Sequence, residues 1–129
     1  MATITIIDES TAGETHAWNL DFLDEPLSLR ELIRRRIYQE VTEYNARLTG
    51  HFHGLVQPTE AERVLNGSHP KPAHRLDWQA QYEKAIDAFT RRAYLVLVGK
   101  KQVVDLDASI ELHAGTEVTF FKLVPLVGG

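Results

Sequence analysis

One stretch narrows the possible folds more than any other: Leu29, Ile33, Ile37, Val41, Tyr44 and Leu48 recur every three or four residues. That spacing lays a continuous apolar stripe along one side of a helix. Ser28 is placed as its N-cap, with Glu31 three residues on, the spacing of a capping box. Leu27 and Leu32 flank the cap as a hydrophobic staple. Arg30, Arg34, Arg35, Glu40 and Glu43 fall largely off the stripe, and the Arg34-Arg35-Arg36 run reads as a solvated helix face. Gly50 is positioned to stop the helix. A helix apolar on one side must bury that side against a second layer, which the rest of the chain has to supply.

Strands at both ends supply it. Thr3 to Ile7 is a short β-branched run that suits a pleated surface better than a helix. Asp8 to Glu14 reads as a turn. Trp18, Leu20 and Phe22 then recur at period two, the mark of a half-buried strand, so the two runs predict an N-terminal hairpin. After the helix, Tyr94 to Val98 is a second apolar run. Gly99-Lys100 suits a type II′ turn, and Gln102 to Val104 follows as its partner strand. Asp105 to Leu112 is a connection carrying Leu106, Ile110 and Leu112. Gly115 marks a turn, and Val118 to Leu123 is the final strand. A right-handed crossover through the helix places the first and last strands side by side. The expected fold class is α+β, one sheet with its main helix on one face.

Residues 49–93 interrupt that plan as an insertion. Residues 51–76 carry Gly54, Pro58, Gly67, Pro70 and Pro72 and read as irregular. Thr59 and Glu62 repeat the capping-box spacing, so a short helix is expected over 60–66. A further helix is expected from an Asp77 N-cap through Trp78, Tyr82, Ala85, Ile86 and Phe89.

Composition excludes more than it selects. The 129 residues, with 43% hydrophobic and 25% charged, are those of one globular domain. A net charge of −4 argues against nonspecific nucleic-acid binding through a basic surface. There is no cysteine, which removes disulfides, thiolate nucleophiles and iron–sulfur ligation by this chain. No apolar run approaches the ~20 residues that cross a bilayer, and the start, Met1-Ala2-Thr3-Ile4, lacks a signal-peptide pattern. The expectation is a cytoplasmic protein with no membrane contact. No Gly-x-Gly-x-x-Gly or Gly-Lys-Ser/Thr phosphate loop is present.

The run Tyr94–Val104, the connection to Leu112, the stretch His113–Phe121 with its Gly115, Glu117, Val118 and Phe120, and the end Val124-Pro125-Leu126-Val127-Gly128-Gly129 together resemble the ubiquitin-like β-grasp proteins. The likeness is greatest to their ThiS/MoaD sulfur-carrier branch, whose last strand reads roughly Gly-Asp-Glu-Val-Ala-Phe before a proline-containing tail ending in Gly-Gly. The resemblance implies a mixed sheet of four or five strands packed on one long helix. It also implies a partner adenylating enzyme that uses ATP to convert the carboxylate of Gly129 into an acyl-adenylate. Attack by a sulfur source then gives a thiocarboxylate carrier. Attack by an enzyme cysteine and then a lysine amine gives a conjugate. The chain would be substrate or carrier rather than enzyme, with no cofactor of its own. The insertion has no counterpart in the compact sulfur carriers and tilts the reading toward a protein modifier. A third reading is a non-covalent β-grasp interaction module whose tail is never activated.

The tail suits delivery on physical grounds as well. Val124 precedes Pro125 and is biased to extended backbone. From Val124 to Gly129 an extended chain reaches roughly 20 Å. Gly128 and Gly129 pass where a side chain would clash. On the final strand Val118 and Phe120 share one face while Thr119, Phe121 and Leu123 share the other. Phe121 and Leu123 are therefore candidates for an exposed docking patch, unless the insertion covers them.

Two other constellations are weaker. His51 and His53, with His69 and His74, have spacings a metal could use, but their surroundings read as ordinary loop. Asp105, Asp107 and Glu111 could be drawn as an acid–base group, yet the same residues serve a polar connection.

Overall fold

The computed structural model describes residues 2–22, 26–47, 54–56 and 75–123. The order is β1 (Ala2–Ser10), β2 (Thr15–Phe22), β3 (Leu27–Ser28), helix α1 (Leu29–Arg47), helix α2 (Trp78–Thr90), β4 (Tyr94–Val98), β5 (Lys101–Val103), β6 (Ser109–Ile110) and β7 (Glu117–Lys122). The fold is α+β, with a mixed five-stranded sheet in the order β2-β1-β7-β4-β5 and a separate two-stranded ladder of β3 and β6. The chain forms two compact units, residues 1–32 with 88–129, and residues 33–87. Both changes of unit fall inside helices. The short helix expected over 60–66 and the helix end at Leu48–Gly50 lie outside the described residues.

The sheet belongs to the first unit. Strand β1 is an interior strand, antiparallel to β2 and parallel to the central β7, with Ile4 opposite Leu20 and Ile6 opposite Val118. On the far side of β7, β4 runs antiparallel with Val96 opposite Phe120. Because side chains alternate, these registers put Ile4, Ile6, Leu20, Phe22, Tyr94, Val96, Val118 and Phe120 on one face. All eight are buried. The expected side-by-side placement of first and last strands is observed as the β1–β7 pairing.

Strand β1 runs three residues past the expected Ile7, to Ser10. Asp8 and Glu9 have poor strand propensity, but they are held on both sides, by His16 and Thr15 of β2 and by Phe120 and Phe121 of β7. Tertiary pairing overrides local preference here. The turn is confined to residues 11–14, closed by Ser10 N–H donating to the Glu14 carbonyl at 3.0 Å. The β4–β5 hairpin turns at Gly99-Lys100, where Gly99 has φ 62°. Positive φ at the first of two turn residues is the type II′ geometry that glycine permits.

The start of α1 is capped three times over. Ser28 Oγ accepts from Glu31 N–H at 3.1 Å, as the capping-box spacing predicts. Leu29 N–H donates to the Ala108 carbonyl at 3.2 Å and Arg30 N–H to the Leu106 carbonyl at 2.8 Å. The connection after β5 therefore satisfies amides that a helix start leaves orphaned. Leu27 of β3 pairs with Ile110 of β6 beside this junction.

Helix α2 begins at its expected cap, with Asp77 Oδ1 accepting from Gln79 N–H at 3.1 Å. It ends in a Schellman pattern. Ala93 N–H reaches the Ala88 carbonyl at 2.8 Å, and Arg92 N–H reaches the Phe89 carbonyl at 3.0 Å. The left-handed position, with φ 63°, is held by Arg92 and not by glycine.

In the second unit the expected solvated arginine face is corrected. Arg36 is 1% exposed and forms an ion pair with Glu40 one turn on. The physical reason is that Glu40 is itself nearly buried, and its second oxygen accepts from Leu55 N–H at 3.1 Å. Gln81, also buried, donates to the Val56 carbonyl at 3.1 Å. Asn45 donates to the Leu76 carbonyl at 2.9 Å and accepts from Leu76 N–H at 2.8 Å. The polar groups of both helices are thus spent on holding backbone at residues 55, 56 and 76. Burial pushes the Tyr44 phenol above its ordinary pKa.

Glu40→Ala is expected to lower unfolding free energy by about 3 kcal/mol, because it leaves a buried guanidinium short of its carboxylate. Glu40→Gln, which keeps an acceptor for Leu55, should cost less; urea unfolding of the two variants checks the order. Arg92→Gly is expected to stabilise by roughly 0.5–1 kcal/mol and raise the thermal midpoint, since glycine adopts left-handed backbone without the Cβ penalty.

Candidate functional site

The side of the sheet opposite the buried face carries Thr3, Thr5, Ile7 and Glu9 from β1 and Ala17, Asn19 and Asp21 from β2. The later strands add Glu117, Thr119 and Phe121 from β7, with Leu95 and Leu97 from β4. Every one of these residues is half-buried or exposed. The face divides into two halves. Toward β2 it is polar: Thr3 Oγ1 donates to Asp21 Oδ1 at 2.6 Å, and Thr5 Oγ1 to Asn19 Oδ1 at 3.5 Å. Toward β4 it is apolar, with Ile7 in the row Ile7–Thr119–Leu97 and Phe121 in the row Glu9–Phe121–Leu95.

The sequence-expected docking residues fall here. Phe121 is half-buried in the apolar rows, flanked by Glu9 and Leu95. Leu123 follows directly after β7, is 37% exposed, and has its N–H fixed on the Ala93 carbonyl at 2.9 Å. Ile7, Leu95 and Leu97 complete the patch, and the sequence reading did not single them out. The signal was present in Tyr94–Val98, an unbroken apolar run with apolar side chains for both faces of a strand. The strand residues that carry charge on this face are Glu9, Asp21 and Glu117, all acidic.

The tail residues Val124, Pro125, Leu126, Val127, Gly128 and Gly129 lie outside the described residues, as do His51, His53, His69 and His74. Among the described residues no group of three His, Asp or Glu converges as a metal site. Of the acidic trio in the connection, Asp107 is engaged by Arg30, whose Nε donates to its Oδ1 at 3.2 Å. Asp105 Oδ1 accepts from Asp107 N–H at 2.9 Å, which closes a local turn. These are the bonds of a polar connection.

A cleft of about 600 Å³ opens beside that connection, lined by Arg30, Arg92, Tyr94, Leu95, Val104 and Asp107 among others. A second, of about 380 Å³, lies along β5 with Val98, Lys101, Val103 and Ile110 in its wall. Each holds both charge signs. Among the described residues no helix is long and apolar enough to cross a membrane.

The arrangement is an apolar half-face with acidic neighbours, next to the point where the central strand β7 ends. No protein-family model matches this chain, and neither the curated proteins nor the solved structures yield a match to it.

Proposed function

We propose that this chain is a ubiquitin-like β-grasp protein whose Gly129 carboxylate is activated by a partner adenylating enzyme and joined to amines of target proteins. The observation that carries the reading is the position of β7. Among the described residues it is the last strand, it lies between β1 and β4, and its parallel pairing with β1 fixes where the chain stands just before Val124. A tail rooted in the middle of a sheet has a rigid base at one end and, in Gly128 and Gly129, a slender end at the other.

The chemistry balances without any catalytic group on this chain. A Gly129 carboxylate oxygen attacks the α-phosphorus of the partner's ATP, and pyrophosphate leaves. A nucleophile then attacks the acyl carbon, and AMP leaves. Where that nucleophile is a partner cysteine, a thioester forms, and a lysine amine then attacks the thioester carbon, the cysteine thiol leaves, and an isopeptide results. A sulfur nucleophile yields the thiocarboxylate of a sulfur carrier. The apolar half-face of Ile7, Leu95, Leu97 and Phe121 supplies the docking surface for that enzyme, and its acidic neighbours call for a partner surface that is apolar with a basic rim.

The same half-face favours a second reading, a non-covalent interaction module, in which docking is the whole function and Gly129 is dispensable.

Intact and peptide-level mass spectrometry of the protein from its native cell separates the two. The expected result is Gly129 in an isopeptide with lysines of other proteins; an oxygen-to-sulfur mass change at Gly129 assigns the carrier branch instead. Unmodified Gly129, together with an unaltered phenotype on deleting Gly128 and Gly129, leaves the module. Leu97→Asp is expected to cut the conjugated fraction at least ~tenfold while circular dichroism stays unchanged, because it places a charge in the apolar docking face at a position that is not buried.

A further inference from the structure

Strand β5 ends the five-stranded sheet, and among the described residues it pairs with β4 alone. The direction of its backbone groups follows from two observations. Gly99 N–H donates to the Glu117 carbonyl of β7 at 2.8 Å, so the neighbouring Val98 turns its amide and carbonyl the other way, toward β5. Val98 and Lys101 are then the hydrogen-bonded pair that closes the two-residue turn, and Leu97 and Gln102 are a non-bonded pair. The N–H and C=O of Gln102 therefore point outward from the sheet edge. Lys101, Gln102 and Val104 are exposed, Val104 at 74%.

We propose that this edge pairs antiparallel with β5 of a second copy of the chain, with Gln102 of each copy opposite the other across a two-fold axis. Three features of the edge are self-complementary in that arrangement. The two Gln102 residues exchange N–H···O=C bonds in both directions. The edge carries Lys100 and Lys101 at one end and Asp105 and Asp107 at the other. Antiparallel pairing centred on Gln102 puts Lys101 opposite Val103 of the second copy and diagonal to its Asp105. That diagonal separation, roughly 7–8 Å between Cα atoms, is within reach of a lysine side chain. Parallel pairing would set lysine beside lysine. Third, the two clefts described above lie along β5 and share Val103 and Val104 in their walls. An added strand along β5 would therefore lie beside open space rather than against packed side chains.

An exposed edge with a bare valine is a liability unless it is covered or its pairing is restricted. Here the charge order restricts pairing to one orientation. The contact is short, so the dimer is a weak one of the transient class.

Sedimentation equilibrium of the full chain tests this. The weight-average mass should climb from 14.6 kDa toward twice that value as concentration rises through roughly 0.1–1 mM, and added salt should shift it back. Gln102→Pro should be monomeric throughout, because proline removes an outward amide that no strand among the described residues uses. Lys101→Glu should weaken association at least ~tenfold, and Lys101→Glu combined with Asp105→Lys should restore it. Circular dichroism checks the folding of each variant, since Asp105→Lys gives up the local turn bond. If Gln102→Pro unfolds, the charge-reversal pair decides alone. A single-chain mass across the range overturns the proposal, and so does a dimer that ignores both Gln102→Pro and Lys101→Glu. A monomer that instead binds an added extended peptide along β5 overturns the second copy as occupant.

Discussion

Parallel pairing of β1 with β7 is what the first compact unit is organised around. Two adjacent parallel strands cannot be joined by a hairpin, so the chain between them must leave the sheet and come back. Here it leaves through the capped start of α1 and returns from the end of α2 into β4. Once β7 is seated against β1, its free side is an edge, and β4 fills it. The same act buries Val118 and Phe120 beside Ile4 and Ile6 and leaves Phe121 and Thr119 on the opposite face. The buried face and the open face are set by one register, and a slip of one residue would exchange them.

The two ends of that crossover are built differently. At α1 the amides of the first turn are met by a hydroxyl and by two carbonyls of the connection after β5, so this junction ties the chain at residues 28–31 to the chain at 106–108. At α2 the exit is a local turn, completed within residues 88–93 and tolerating an arginine where glycine is usual. Between them the second unit consumes its buried polar groups in fixing backbone: Arg36 and Glu40 at Leu55, Gln81 at Val56, Asn45 at Leu76. A long connection costs only a slowly rising closure entropy, so a crossover can carry such a unit as long as it folds.

Much of this was legible in the residues because it is local. The β-branched run at Thr3, the alternation at Trp18, the caps at Ser28 and Asp77 and the Gly99-Lys100 turn each act over a few positions, and each appears where expected. What was not legible depends on distant partners. Asp8 and Glu9 become strand because two neighbours hold them. The β3–β6 ladder is too short to show any period. Arg36 pairs with Glu40 one turn on, but the burial of that pair goes with the Leu55 N–H that meets Glu40 from a distant segment, which no helical wheel contains. The candidate surface divides the same way. Phe121 and Leu123 follow from alternation along one strand, whereas Leu95 and Leu97 sit in a run apolar on both faces, where only the sheet register says which side is covered.

The position of β7 also bears on how the molecule is made. Ribosomal synthesis makes β1 and β2 early in this stretch, yet the strand that completes the sheet beside β1 emerges roughly a hundred residues later. At ~5–20 residues per second, the β1–β2 hairpin spends on the order of 5–20 s with the apolar side of Ile4, Ile6, Leu20 and Phe22 lacking its central neighbour. For that interval the nascent chain presents an open strand edge and an uncovered apolar face together, the pair of features that chaperones bind and that aggregation exploits. The strand that roots the tail is, in the order of birth, the one that brings this exposure to an end.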